Sequence, residues 1–159
     1  MKTLFYYQTS IGTVGILENN NAITHLFFEG EPAPADAIVQ ETALLKEAGR
    51  QLQLYLAGQL QTFTLPLAPD GTEYMRHVWE KLCDIPYGET RSYRDIAHSL
   101  GNPKAARAVG LANNKNPLPL FIPCHRVIGA NQKLVGYRGG LRVKGQLLEL
   151  EKQRRDPIS

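Results

Sequence analysis

The chain has 159 residues, 43% of them hydrophobic and 21% charged, which suits one compact core or two small ones and is too short for several large domains. Two cysteines, Cys83 and Cys124, are too few for a disulfide framework or a four-thiolate zinc site, and no run approaches the ~18 apolar residues of a membrane span. The net charge of +3 conceals a split: residues 1–70 hold 3 basic and 7 acidic side chains, residues 71–159 hold 15 and 8, and from Arg91 to Lys144 ten basic residues accompany one acid, Asp95. The apolar opening at residues 4–7 ends at Gln8, short of a signal peptide, so a reduced cytoplasmic setting is expected, without metal and without membrane. The basic segment suits a polyanionic partner such as nucleic acid or an acidic membrane surface, and equally a solvated basic face.

Residues 3–8, 13–18 and 23–29 are β-branched or aromatic-rich runs separated by Gly12 and Asn19-Asn20-Asn21, predicting three antiparallel strands. After a loop with Pro32 and Pro34, apolar residues at 44, 45, 48, 52 and 56 predict a helix over 38–56, closed by Gly58. Residues 62–67 read as one more strand. Pro66, Pro69, Asp70 and Gly71 then break the pattern where the charge changes sign, which predicts an N-terminal domain over 1–70 and a C-terminal domain over 71–159.

The second half reads as helical. Residues 73–83 place Met75, Val78, Trp79 and Leu82 on one face and stop at Ile85-Pro86-Tyr87-Gly88. Ser92 is a suitable N-cap for a helix over 93–100, ended by Gly101. Asn102 as cap and Pro103 as first residue predict the next helix, so that two short helices joined by a Gly-Asn turn outline a helix-turn-helix. The second helix, Lys104-Ala105-Ala106-Arg107-Ala108-Val109-Gly110-Leu111-Ala112, is mostly small around one long cation. It either packs tightly on a neighbouring helix or lies against a nucleic-acid backbone with Arg107 entering a groove or the base stack.

Cys124 follows the apolar stretch Leu118-Pro119-Leu120-Phe121-Ile122-Pro123 and directly precedes His125 and Arg126. Positive neighbours can draw a thiol below its usual value of roughly 8.5 and make it a nucleophile; the blander alternative is a small core residue, the class in which Cys83, beside Asp84, belongs. The spacing does not fit a metal site, whereas a cysteine hydrolase is a competing chemistry. In a helix over 143–152, Lys144, Leu147, Leu148 and Glu151 share one stripe. Glu151 is then either half-solvated, which spacing alone favours, or buried and paired, where it could orient an imidazole.

Pro123-Cys124-His125-Arg126-Val127, with Asn116-Pro117-Leu118-Pro119 before it and Gly136-Tyr137-Arg138-Gly139-Gly140-Leu141 after it, resembles the active-site region of the O6-alkylguanine-DNA alkyltransferases. The similarity extends back through Tyr87-Gly88-Glu89-Thr90-Arg91-Ser92-Tyr93 and Asn102-Pro103-Lys104-Ala105-Ala106-Arg107, and forward to Glu151. It implies an α/β protein with a ribonuclease-H-like N-terminal antiparallel sheet plus helix and a winged-helix-type C-terminal domain carrying the helix-turn-helix. The activity implied is direct, stoichiometric and irreversible transfer of an alkyl group from O6-alkylguanine, with O4-alkylthymine as a further substrate, in double-stranded DNA to a cysteine. Such a protein works after minor-groove binding and base flipping, as a monomer and without a cofactor.

Carried over to this chain, the resemblance makes Cys124 the acceptor, His125 its base through a water, and Glu151 the residue that orients His125. Asn116 ties the cysteine segment to the recognition helix, Tyr93 donates a proton to the departing guanine, and Lys144 supports the active-site loop or that leaving group. Arg107 fills the gap left by the flipped nucleotide, Ala105 and Ala106 lie against DNA, and Arg91, Arg94, Lys104 and Lys115 meet phosphates. Val127, Tyr137 and Arg138 form the base pocket, with Arg138 a long cation where some relatives carry a small residue. No additional N-terminal regulatory module is expected. Cys124 itself speaks against the relatives that bind lesions without repairing them, although a non-catalytic sensor of alkylated DNA using the same helix-turn-helix is the alternative function.

Overall fold

Asn20 and Asn21 take φ of 53° and 62°, the pair of positive angles that a two-residue hairpin turn needs to match strand twist, and asparagine tolerates them well. They join β2 (Gly12–Asn19) to β3 (Ala22–Phe27), and β1 (Lys2–Thr9) pairs antiparallel with β2 from Lys2↔Asn19 to Thr9↔Gly12. In this computed structural model, which describes residues 1–129 and 136–154, the chain divides into two compact units, Met1–Asp70 and the residues from Gly71 onward.

The first unit is a four-stranded sheet in the order β3-β2-β1-β4 with one helix, α1 (Ala43–Leu56). The fourth strand corrects the sequence expectation, for Ile38–Val39 is not the start of a helix but a strand, β4, parallel to β1. These β-branched residues extend the sheet edge, and Thr42, whose side chain accepts from the Leu45 backbone N–H, starts the helix only afterwards. Leu45, Ala48, Leu52 and Tyr55 form the buried stripe of α1. Gly49 is on the same helix because a Cβ there would lie 2.7 Å from the Tyr7 ring. The strand expected over 62–67 is absent: one bridge joins Leu67 to Ile23, with Ile23 N donating to Pro66 O at 2.8 Å. Pro66 has no N–H to continue a ladder.

In the second unit, α2 (Glu73–Cys83) buries Val78, Trp79 and Leu82, and the Trp79 indole N–H donates to Ala112 O at 2.9 Å, tying α2 to α4 (Ala106–Asn114). Ser92 caps α3 (Tyr93–Ser99) as expected, in a full capping box with Asp95. The start of α4 differs from the expectation. Asn102 and Pro103 belong to the turn between the helices, and α4 begins at Ala106 with no side-chain cap. A short parallel pair, β5 (Arg91–Ser92) with β6 (Val127–Ile128), links the entry of α3 to the segment after Cys124, and α5 (Leu141–Arg154) closes the unit. Among the described residues no helix is long and apolar enough to cross a membrane.

Candidate active site

The segment between α4 and Cys124 is buried throughout, from Asn116 to Pro123. Its shape comes from Asn116, whose Nδ2 donates to Ile122 O at 2.9 Å while its Oδ1 accepts from Leu118 N at 2.9 Å. Leu120, at the apex, takes φ of 76°, a left-handed conformation costly for a leucine and held by the packing around it. Asn116 follows the last turn of α4 directly, so the clip connects that helix end to the chain that carries the cysteine. Cys124–Arg126 is a single 3-10 turn with all three side chains buried.

The last helix supplies the other half of the site. Lys144 and Glu151, two turns apart on α5, are 0% and 1% exposed, so the solvated placement that spacing favours for Glu151 is wrong. Its carboxylate lies 2.7 Å from His125 Nε2 and accepts from Arg126 Nε at 2.8 Å, Arg126 Nη2 at 3.0 Å and Gly88 N at 3.2 Å. A buried charge is tolerated only when it is matched in this way. Arg126 also donates to Ile85 O at 2.8 Å and stacks over Tyr87, 5.6 Å from the ring centroid. The Lys144 ammonium donates to Val127 O at 2.7 Å.

These partners set the protonation states. Burial pushes the Glu151 carboxyl up, but the hydrogen bonds of His125 and Arg126, with the Arg126 charge, outweigh it and hold the group at about 2. Burial lowers His125 despite Glu151, with Arg126 and Lys144 acting in the same direction. A neutral imidazole facing an ionised carboxylate must place its proton on Nε2, leaving Nδ1 as the basic nitrogen. Lys144 is lowered to about 8 by burial, against the pull of Cys124.

The Cys124 thiol is raised, by its complete burial, and the groups that oppose this are an Asn116 hydrogen bond and the charges of Arg138 and Lys144. The expectation that His125 and Arg126 lower it therefore fails: one is neutral and the other is spent on Glu151. Cys83 also departs from expectation, being exposed at the end of α2 rather than in a core; partial desolvation and Asp84 push its thiol up.

A cavity of about 10 Å³ adjoins Cys124, lined by Asn113, Asn116, Pro119, Gly136, Tyr137 and Arg138 among others. That is room for one water, so a base can enter only by displacing the lining. Arg138 crosses the lining with its Nη1 donating to Asn116 O at 2.8 Å. Tyr93 packs against Gly110 of α4 and lies beside the Asn113 amide. Burial and the neighbouring Cys124 raise its phenol, which therefore keeps its proton. The larger cleft, about 520 Å³, lies between α2 and α3, is lined by Lys81, Asp84, Arg91, Asp95, His98 and Ser99 among others, and does not include Cys124.

On α4, Val109, Ala112 and Asn113 face inward, while Arg107, Leu111 and Asn114 are exposed on the opposite side. Ala105 and Ala106 are half-buried, and Arg94, Lys104 and Lys115 are exposed. Arg91 is half-buried and pairs with Glu89 at 3.1 Å. Lys133, one of the ten basic residues, lies outside the described residues. Sequence reasoning missed two members of the site, Asn113 and the Arg126–Glu151 pair. Asn113 is detectable as the polar residue on the inward stripe 109, 112, 113; the ion pair joins residues 25 positions apart and leaves no local signal.

Residues 73–153 match the family described as 6-O-methylguanine DNA methyltransferase, DNA binding domain, and residues 4–69 match the ribonuclease-like domain of 6-O-methylguanine DNA methyltransferase. The chain belongs to the 6-O-methylguanine DNA methyltransferase family. A methylated-DNA–protein-cysteine methyltransferase of Methanosarcina barkeri is 49% identical over 148 residues, covering 91% of this chain and 93% of the relative. The constitutive methylated-DNA–protein-cysteine methyltransferase of Bacillus subtilis is 47% identical over 152 residues, covering 91% and 92%. Among solved structures, Mycobacterium tuberculosis OGT in complex with DNA superposes with a TM-score of 0.91 at 43% identity, covering 96% of this chain and 94% of that one. In 6-O-methylguanine DNA methyltransferase terms, the helix-turn-helix and the Cys124 turn both fall within the DNA binding domain.

Proposed function

We propose that the protein repairs DNA by moving the alkyl group of O6-alkylguanine to Cys124 in a single irreversible displacement. The observation that carries this reading is a buried cysteine beside a histidine fixed by a buried carboxylate, His125 Nε2 to Glu151 Oε2 at 2.7 Å, on a turn reached from the helix-turn-helix. Arg91, Arg94, Lys104 and Lys115 hold phosphates. Ala105 and Ala106 let α4 approach the minor groove closely, and Arg107 occupies the space left when the damaged nucleotide rotates out. The base enters between Val127, Tyr137 and Arg138.

The thiol proton passes through one water to His125 Nδ1, and Glu151 compensates the imidazolium that forms. The Cys124 thiolate then attacks the alkyl carbon: the S–C bond forms, the C–O6 bond breaks, and its electron pair remains on the purine. Tyr93 gives its proton to that purine, and the Lys144 charge supports the thiolate and the loop around Val127. Asn116 keeps the cysteine-bearing turn in place against α4. A thioether is a poor leaving group, so one protein repairs one lesion. A reduced acceptor thiol suits a cytoplasmic setting, and single-turnover chemistry on one cysteine suits a monomer.

Incubation with duplex DNA containing O6-methylguanine is expected to add one methyl group to the Cys124 peptide, read by mass spectrometry, with product stopping at one equivalent. Cys124→Ala is expected to keep DNA affinity and lose transfer. An unmodified Cys124 in a folded protein bound to the lesion would instead assign it as a sensor, and continuing product would make it a hydrolase.

A further inference from the structure

Asn113 has no part in the chemistry above, yet it is 3% exposed and lines the cavity at Cys124. Cys124 O lies 3.5 Å from its Nδ2, and because that backbone oxygen can only accept, it fixes which end of the amide faces the turn. The same side chain lies beside the Tyr93 phenol. Its Oδ1 is buried and has no hydrogen-bond partner among the described residues. A buried acceptor without a donor carries an unrecovered desolvation penalty, which a ligand presenting an N–H relieves on binding.

The chemistry of the lesion says which N–H that is. Alkylation at O6 fixes the guanine ring in the form that lacks the N1 proton. N1, N3 and N7 are then acceptors, N9 carries the sugar, and the exocyclic 2-amino group is the only N–H donor left. O4-alkylthymine, whose N3 has likewise lost its proton, has none. We propose that Asn113 Oδ1 accepts a hydrogen bond from the 2-amino group of the flipped base and makes the site selective for O6-alkylguanine over alkylated bases without that amine. Since the Asn113 amide also faces Cys124 and lies beside Tyr93, a base seated on its oxygen is held in register with both the acceptor and the proton donor. This inference rests on the transfer reading above.

The test compares single-turnover methylation of Cys124 by duplexes carrying O6-methylguanine, O6-methylhypoxanthine, which differs only in lacking the 2-amino group, or O4-methylthymine. The native protein is expected to react with O6-methylguanine about tenfold faster or more than with O6-methylhypoxanthine, because a site built around a substrate N–H rejects the analogue without it. Asn113→Leu, similar in size with no acceptor, is expected to bring the two rates together; Asn113→Ala serves the same purpose should the leucine variant melt early. Equal rates in the native protein, or a preference that survives both substitutions, overturn the assignment while leaving alkyl transfer intact. No methylation of Cys124 by O6-methylguanine DNA overturns the transfer reading itself, and this one with it.

Discussion

At Glu151 one carboxylate serves two buried side chains, His125 and Arg126, and its removal takes from each its anionic partner. Glu151→Gln is expected to lower stability by about 3 kcal/mol, the scale for breaking a buried pair from one side, measured as a reduced denaturant midpoint. The pH dependence follows from the same contacts. The folded value, about 2, lies below the ordinary carboxyl value of 4.5, so the contribution is complete above about 4.5 and is lost as pH falls toward 2. The native protein should therefore lose stability across that window, and Glu151→Gln should flatten this part of the profile. Lys144 makes a different prediction. Its charge opposes the upward push of burial on the Cys124 thiol, so Lys144→Met should shift the alkylation of Cys124 by a small thiol reagent to higher pH. The Cys124 peptide mass, resolved from that of Cys83, checks it.

The helix-turn-helix depends on how its elements begin. Ser92 and Asp95 satisfy each other's backbone N–H groups at the start of α3, and Ser92→Ala is expected to cost about 1 kcal/mol, seen as a lower melting temperature with transfer chemistry retained. The turn into α4 has no such cap, and the helix is held by packing instead: Trp79 reaches Ala112 O, and Gly110 lies against the Tyr93 ring. This decides between the two uses considered for the small residues. Gly110 and Ala112 serve helix packing, while Ala105 and Ala106 remain partly open at the end of the helix that carries Arg107.

Over the whole molecule the charge split acquires a division of labour. Of the basic residues between Arg91 and Lys144, Arg126 and Lys144 are buried within the active site and are not available to phosphates, and Arg91 shares its charge with Glu89. Arg94, Lys104 and Lys115 are exposed. Arg94→Ala and Lys104→Ala are each expected to weaken DNA binding and to reduce the slope of log affinity against log salt by about 0.9, while the rate of transfer from bound DNA stays unchanged. A salt titration of binding by the two variants and the native protein checks this.

The sequence by itself determined the parts whose causes are local. The Asn-Asn hairpin, the Ser92 cap, the stripe of α2 and the ordered motifs around Pro123-Cys124-His125-Arg126 are all legible because each depends on residues a few positions apart. Tertiary structure alone decided the rest. Ile38 and Val39 became a strand because β1 offered an open edge, and α4 began at Ala106 rather than Pro103. Glu151 was drawn inside because Arg126 and His125 were waiting there, and Asn113 was turned toward Cys124. The physical reason is common to these cases: the cost of burying a polar or charged group, and the gain from pairing it, depend on partners brought together by the fold, which spacing along the chain does not record.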